Sequence, residues 1–283
     1  MYKLIDGKII SAFVKDRVKN EVSALKEKGI TTGLAVIIVG EDPASKVYVN
    51  NKKKACEALG IISEEYALPE NTTQEELLAL IDTLNKKESI NGILCQLPLP
   101  KHLNEEIVIN AISAEKDVDA FHPVNVGKIM QGNYDFVPCT PAGIMEMLAY
   151  EGIEIAGKTC VVIGRSNIVG KPMSMLLLHK NGTVTICHSK TQNLKEVCKS
   201  ADILVAAVGR PNFVTADMVK ENAVVIDVGI NRVDGKLVGD VNFDEVSKKA
   251  SYITPVPGGV GPMTIAMLMQ NTLTAAKKQN KVN

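Results

Sequence analysis

Tryptophan is absent from this 283-residue chain, and five Phe with six Tyr bring the aromatic share to only 4%. Stacking platforms for single-stranded nucleic acid need exposed aromatics, so none is expected. Net charge is absent as well, with 32 Lys and Arg balanced by 32 Asp and Glu. That argues against nucleic acid held by bulk positive potential and against a polybasic membrane contact. Long apolar runs are missing: a stretch such as Ile203–Val208 falls far below the ~18 residues of a membrane span. The opening MYKLIDGKII reaches Asp6 and Gly7 before an apolar leader core forms, so no signal peptide is expected. Six cysteines, at 56, 95, 139, 160, 187 and 198, contain no CxxC pair and no Cys/His cluster with zinc spacing. Reduced, mostly buried thiols, no metal site and a cytoplasmic protein are the expectation.

The composition that remains, 46% hydrophobic and 23% charged, is that of a globular chain with an aliphatic core. Its length is nearly twice the ~150-residue prior for one domain, which predicts two. Helix and strand patterns alternate. A helix over 8–28 precedes the strand GLAVIIVG, and Pro43 opens a Lys-rich helix that ends near Gly60. A strand near 61–67, a helix over 73–86 and the strand GILC follow. Continuous aliphatic strands between helices predict a parallel sheet covered on both faces. The same rhythm restarts in the second half: helix 141–151, strand 158–164, helix 170–180, strand 183–187, helix 193–200, then strands at 202–209 and 223–229. Asp234-Gly235 between short β-like runs predicts a hairpin. A Met-rich helix begins near Gly261, where Met267 and Met269 read as packing. The seam is placed at Val137–Pro141.

VVIGRSNIVGKP, 161–172, has the placement of a dinucleotide-binding turn: a β-branched strand runs into Gly164, and Gly170 opens the next helix. Ser166 stands where a G-x-G-x-x-G pattern has its second glycine, and a plain βα turn would share these features. NAD enzymes usually place an acid at the end of the second strand for the ribose 2′-hydroxyl. Here TVTIC ends in His188-Ser189-Lys190. Ser189, His188 and the Arg165 guanidinium have donors for a 2′-phosphate, which favours NADP over NAD. A merely solvated polar loop is the alternative.

Ser45, Tyr48 and Lys52 lie three and four residues apart and share one helical face. A surface pair is the ordinary reading of such a Tyr and Lys. Y-x-x-x-K also occurs in short-chain dehydrogenases, but there the pair follows the glycine-rich turn, and here it precedes Gly164 by more than a hundred residues. GILCQLPLP sets Gln96 at the carboxyl end of a parallel strand, the edge where open α/β sheets bind ligands. EKDVDAFHP carries Asp117 and Asp119, which serve equally as caps. In TPVPGGVGPMT, Gly258 and Gly259 permit close backbone approach to a flat ligand, or a turn into the last helix.

Taken together, YVNNKKKACEALGI, GILCQLPLP, EKDVDAF, PCTPAGIMEML, VVIGRSNIVGKP, ICHSKT and PVPGGVGPMT resemble, in order and over essentially the whole chain, the bifunctional methylenetetrahydrofolate dehydrogenase/methenyltetrahydrofolate cyclohydrolase family. The resemblance implies two α/β domains with a cleft between them, the second a Rossmann-type parallel-sheet nucleotide-binding domain. A folate-binding catalytic domain would span 1–138 and be completed by the C-terminal helix 261–283, with the NADP domain at 139–260. It also implies a homodimer acting on tetrahydrofolate derivatives in one-carbon metabolism and purine biosynthesis. On the family's pattern, Lys52, Tyr48, Gln96 and Asp119 are catalytic, and Ser45, Tyr48, Asp119, Pro257, Gly258 and Gly259 bind substrate. Thr140, Gly164, Arg165, Ser166, His188, Ser189 and Ile230 contact NADP.

The implied chemistry oxidises 5,10-methylenetetrahydrofolate to the methenyl cation, which water then opens to 10-formyltetrahydrofolate. The first step needs positioning more than a strong base. The second needs a proton carrier, the role expected of Lys52 with Gln96 orienting it and Tyr48 packing on the benzoyl ring. Another two-domain dehydrogenase, of amino-acid or shikimate type, would leave Tyr48, Gln96 and PVPGGVGP without roles. A non-catalytic NADP sensor would have no need of Lys52 and Asp119.

Overall fold

The computed structural model describes residues 2–282, except for the side chains of residues 43–48. In chain order the elements are β1 (Lys3–Leu4), α1 (Gly7–Glu27), β2 (Gly33–Val39), α2 (Pro43–Leu59), β3 (Ile62–Leu68), α3 (Gln74–Lys86), β4 (Gly92–Cys95), α4 (Glu105–Ala111) and α5 (Pro123–Gln131). Next come α6 (Cys139–Tyr150), β5 (Thr159–Ile163), α7 (Gly170–His179), β6 (Thr183–Cys187), α8 (Leu194–Lys199), β7 (Ile203–Ala206) and β8 (Val224–Asp227). The hairpin β9 (Asn231–Val233) and β10 (Lys236–Val238), then α9 (Phe243–Val246), β11 (Tyr252–Ile253) and α10 (Val260–Gln279) complete the chain.

Two compact units result. The N-proximal unit holds residues 13–137 and 265–283, and the C-proximal unit holds 1–12 and 138–264. Two ends depart from the expected division at 138 and 261. The first twelve residues join the C-proximal unit because β1 pairs in parallel with β11, Lys3 opposite Tyr252. Gly7 also sits so close to Gly259 that a Cβ there would run into the Gly259 carbonyl. The first turn of α10 stays with this unit too, its Met263 lying against Gly143.

In the N-proximal unit the sheet order is β3-β2-β4, all parallel. Every residue of β2 is buried, as a continuous aliphatic run predicts for a central strand. β3 carries Glu64 and Glu65 and lies at an edge, where charge discourages further pairing. Thr73 and Glu76 form a reciprocal capping box at the start of α3. Ile37, Leu77, Ile81, Leu84 and Ile93 make the aliphatic core. The helices α4 and α5 were not expected. Their start signals are present in Asn104, which accepts from the Ile107 N–H, and in His122-Pro123, where the ring nitrogen accepts from the Val124 N–H. Both helices are short and lie between polar turns, which hid the period.

The C-proximal sheet is wholly parallel in the order β1-β11-β8-β7-β5-β6. The chain leaves β5 for β6 on one side and then returns across to β7 on the other. The switch point therefore falls at the carboxyl ends of β5 and β7. Asp234 and Gly235, at φ +48° and +77°, make the two-residue turn of the expected hairpin. Strands β7 and β8 are shorter than expected: Ala207 and Val228 make the last N–H bonds to neighbouring strands, and the next N–H groups, of Val208 and Gly229, bind side-chain carboxylates instead. Five of the six cysteines are buried and none of the six forms a disulfide. No described helix is long and apolar enough to cross a membrane.

Candidate active site

At the C-proximal switch point the chain makes its closest approaches through glycine. Gly164, at φ +132°, faces Ala207 so tightly that a Cβ would meet the Ala207 carbonyl, and a Cβ on Gly170 would meet that of Gly164. Only glycine fits either place, and the turn is left with backbone facing outward. Ser166 fills the place of the missing glycine for a local reason. Its Oγ accepts from the N–H groups of Val169 (3.1 Å) and Gly170 (3.3 Å), capping α7 from within the turn. Arg165 and Ser166 are exposed.

The loop after β6 is built by its own side chains. Thr191 Oγ1 accepts from the His188 N–H (2.8 Å), and His188 Nδ1 accepts from the Lys190 N–H (3.2 Å). The ring proton of neutral His188 then belongs on Nε2, and Ser189 is exposed beside it. Ile230, just past β8, is 52% exposed, and its Cδ1 would lie 3.7 Å from a Cβ on Gly261. Thr140 lies in the first turn of α6. Pro257 is exposed, Gly258 takes φ +103° and Gly259 is buried, all in the loop that leads from β11 into α10.

In the N-proximal unit, Gln96 follows β4 with its N–H bonded to the Ile37 carbonyl (2.8 Å), which fixes it at the carboxyl edge of the sheet. Lys52 reaches it from α2, its Nζ donating to Gln96 Oε1 at 2.7 Å. The Gln96 amide then donates to the Leu97 carbonyl, also at 2.7 Å. The lysine is half-buried, and this partner is a neutral amide. The sequence placed these two residues 44 positions apart, and packing joins them. Ser45 and Tyr48 belong to α2, but their side chains lie outside the described residues.

Asp117 and Asp119 divide their duties. Asp117 is buried, pairs with Ile93 in an isolated parallel bridge, and accepts from the His122 N–H and the Asn125 amide, each at 2.8 Å. Burial raises its carboxyl above the usual range, and these hydrogen bonds oppose the shift. It holds the loop. Asp119, two residues on, is only half-buried, and its charge adds to the burial that pushes the Cys95 thiol up to about 12, so it stands near the end of β4. Asn271 on α10 supports the same loop by donating to the carbonyls of Val118 (2.8 Å) and Val137 (2.9 Å). Asn125 and Asn271 were not singled out in the sequence, where a lone Asn within a helix carries no sign of its distant partner. Two further carboxylates were missed as well, Asp227 and Asp240, both buried behind the C-proximal loops. Among the described residues, no group of three or more His, Cys, Asp or Glu is placed to hold a metal ion.

A glycine-lined turn at the switch point of a parallel sheet, together with a lysine–glutamine pair at the carboxyl edge of a second sheet, defines a two-domain α/β enzyme of the nucleotide-binding kind. The model for the tetrahydrofolate dehydrogenase/cyclohydrolase catalytic domain matches residues 5–119, and that for the family's NAD(P)-binding domain matches residues 138–280. This chain belongs to the tetrahydrofolate dehydrogenase/cyclohydrolase family. It is 66% identical over 281 residues to the bifunctional protein FolD of Acetivibrio thermocellus, with 99% of each chain covered. The crystal structure of the bifunctional FolD dehydrogenase/cyclohydrolase of Campylobacter jejuni superposes with a TM-score of 0.97 at 53% identity, covering 99% of this chain and 100% of that one. The Trypanosoma brucei enzyme, complexed with NADP and an inhibitor, gives a TM-score of 0.94 at 41% identity, with 99% of each chain covered.

Proposed function

We propose that the chain is an NADP-dependent 5,10-methylenetetrahydrofolate dehydrogenase that also hydrolyses its methenyl product to 10-formyltetrahydrofolate, in one-carbon metabolism. The observation that carries the reading is the 2.7 Å bond from Lys52 to Gln96 at the sheet edge that also bears Asp119. It is supported by the family matches to both halves of the chain.

Asp119 is the acceptor for the pterin's N–H donors, and the Asp117 and Asn271 bonds keep its loop in place. With the ring so held, a folate nitrogen lone pair expels hydride from the methylene carbon, a step that asks for alignment rather than a base. NADP, when bound, takes up that hydride. In the hydrolytic step, water adds to the methenyl carbon while Lys52 removes its proton and returns one to the departing nitrogen. Gln96 suits this role because an amine keeps its donor bond to an amide oxygen after losing a proton, so the nitrogen lone pair stays aimed. A carboxylate partner would instead favour the charged ammonium. On the family's pattern Tyr48 and Ser45 are further substrate-binding residues, as are Pro257, Gly258 and Gly259.

The residues of the C-proximal edge suit NADP. Gly164 and Gly170 leave no side chain in the way of a pyrophosphate, and Ser166 has a hydroxyl proton to donate. Arg165, Ser189 and His188 Nε2 supply donors for the 2′-phosphate, and no acid stands among 188–190 to repel it. Thr140 and the exposed Ile230 flank the nicotinamide half. The protein is further proposed to be a cytoplasmic homodimer, which light scattering of the purified protein tests directly.

A two-wavelength assay with methylenetetrahydrofolate and NADP tests the whole reading, following methenyl formation and its hydrolysis separately. Both signals are expected, and the absence of NADP-dependent methenyl formation would overturn it. Parallel kinetics with NAD are expected to show a much lower kcat/KM. A preference for NAD would overturn the roles of Arg165, His188 and Ser189.

A further inference from the structure

Behind the nucleotide edge lie two buried carboxylates that none of the chemistry above uses. Asp240 is completely buried. Its Oδ2 accepts from the N–H groups of Val208 (2.7 Å) and Gly209 (2.9 Å), and its Oδ1 accepts from the N–H of Arg210 (2.8 Å) and the amide of Asn231 (2.9 Å). Three successive backbone N–H groups thus converge on one carboxylate, the concave arrangement that elsewhere binds a free anion. Asp227 secures Asp240 in turn. Its Oδ1 accepts from the N–H groups of Asp240 (2.8 Å) and Gly229 (2.9 Å), and its Oδ2 from that of Val241 (2.9 Å). Its own N–H donates to Thr254 Oγ1 at 2.7 Å.

The surroundings are shaped to these two groups. A Cβ on Gly229 would strike the Asp240 carboxylate, and a Cβ on Gly239 would strike that of Asp227. Burying an anion is costly, and an apolar core of equal volume stabilises a fold at least as well. What the pair does instead is direct the backbone. It takes the N–H groups of residues 208–210 and of Gly229, just past the last ladder bonds of β7 and β8, and so fixes the course of both loops at the carboxyl edge. The Gly164–Ala207 contact and the exposed Ile230 lie along that same edge.

We propose that Asp240, held by Asp227, is a positioning residue for the nucleotide. It acts through backbone, fixing the loops after β7 and β8 in the one shape that receives the nicotinamide half and presents Ile230. This rests on the NADP reading above. Asp240→Asn keeps the side chain's size but turns an N–H₂ toward N–H groups, so that at least two donors lose their acceptor.

The test is calorimetric titration of NADP into the wild-type protein, Asp240→Asn, Asn231→Ala and Asp202→Asn, alongside hydrolysis of methenyltetrahydrofolate without cofactor. Asp202 is the control. It accepts from the Thr159 N–H (2.9 Å) and pairs with Lys220 at the amino end of the same sheet, away from the nucleotide edge. The expected result is an NADP Kd raised about tenfold or more in Asp240→Asn and about threefold in Asn231→Ala. Cofactor-free hydrolysis should stay within about twofold, and Asp202→Asn should lose thermal stability without a change in Kd. A purely structural role would lower the active fraction and leave Kd unmoved. Unchanged Kd in folded Asp240→Asn overturns the proposal. Where that variant does not fold, unchanged Kd in Asn231→Ala does so. A wild-type protein that does not bind NADP at all overturns the nucleotide reading itself, which separates the two failures.

Discussion

The two units build their sites from different materials. The C-proximal edge is largely backbone: glycines that admit no Cβ, a serine consumed in capping, and N–H groups gathered on buried carboxylates. The N-proximal edge is made of side chains, with Lys52, Gln96 and Asp119 projecting from elements that ordinary core packing fixes. A pyrophosphate is recognised by shape and partial charge, which backbone supplies without titrating. Moving a proton onto a folate nitrogen needs a group that can lose and regain one, which only a side chain supplies. The first kind of site should fail when a methyl group is added. The second should fail when one functional group is exchanged at constant volume.

The largest effect should therefore come from Lys52→Met. Cyclohydrolase turnover should fall by about 10²–10⁴, with circular dichroism, melting temperature and folate binding nearly unchanged. Undiminished turnover would remove Lys52 from the mechanism. Gly170→Ala should do the converse. Its new Cβ meets the Gly164 carbonyl, so NADP affinity should drop by about a hundredfold and stability by about 1–3 kcal/mol, while cofactor-free hydrolysis persists. Equal loss of both activities would erase the contrast between the units. Gln96→Glu should act more mildly. A carboxylate at 2.7 Å from the lysine favours its ammonium, so the pH–rate profile of hydrolysis should move to higher pH with a lower rate at neutrality. An unmoved profile would show that Gln96 does not aim the lysine.

The last effect bears on stability and leaves activity aside. Burial pushes the Asp227 carboxyl up from 3.8 to about 6. Between those values the folded state holds a proton that the unfolded state has released. Its contribution is therefore full below about pH 4 and is lost as pH rises through about 6, on the order of 2–3 kcal/mol. Asp227→Asn should lower the melting temperature overall while flattening this part of its pH dependence. A variant whose melting temperature follows the wild-type pH curve would mean that Asp227 is not the group that titrates there.

Much of the fold could be read because its signals are local. The aliphatic runs of β2 and β5, Pro43 and Gly60 bracketing α2, and Asp234-Gly235 in the hairpin each act on their own neighbours. The missed elements carry no period of their own, even where a cap residue is present. β1 and β11 are two residues each and exist only because they pair with one another and with β8. α4 and α5 are too short to display a period. Lys52, Gln96 and Asp119 could be named from motif and strand-end position. Asp240 could not, since a Gly-Asp after a hairpin looks like any turn until its three N–H partners, some thirty residues upstream, are brought to it.

By itself the sequence determined the longer helices and strands, the aliphatic character of both cores and the chemical inventory: a glycine turn without an acid, a lysine, an amide and an aspartate. These follow from nearest-neighbour sterics, periodicity and functional-group chemistry, which need no knowledge of distant chain. Tertiary structure decided the rest. It gave residues 1–12 to the C-proximal unit, set Lys52 on Gln96, and stopped β7 and β8 on buried carboxylates rather than on further strand. Each of those outcomes depends on satisfying buried polar groups across long separations in the chain. That requirement takes effect only once the chain has closed around them.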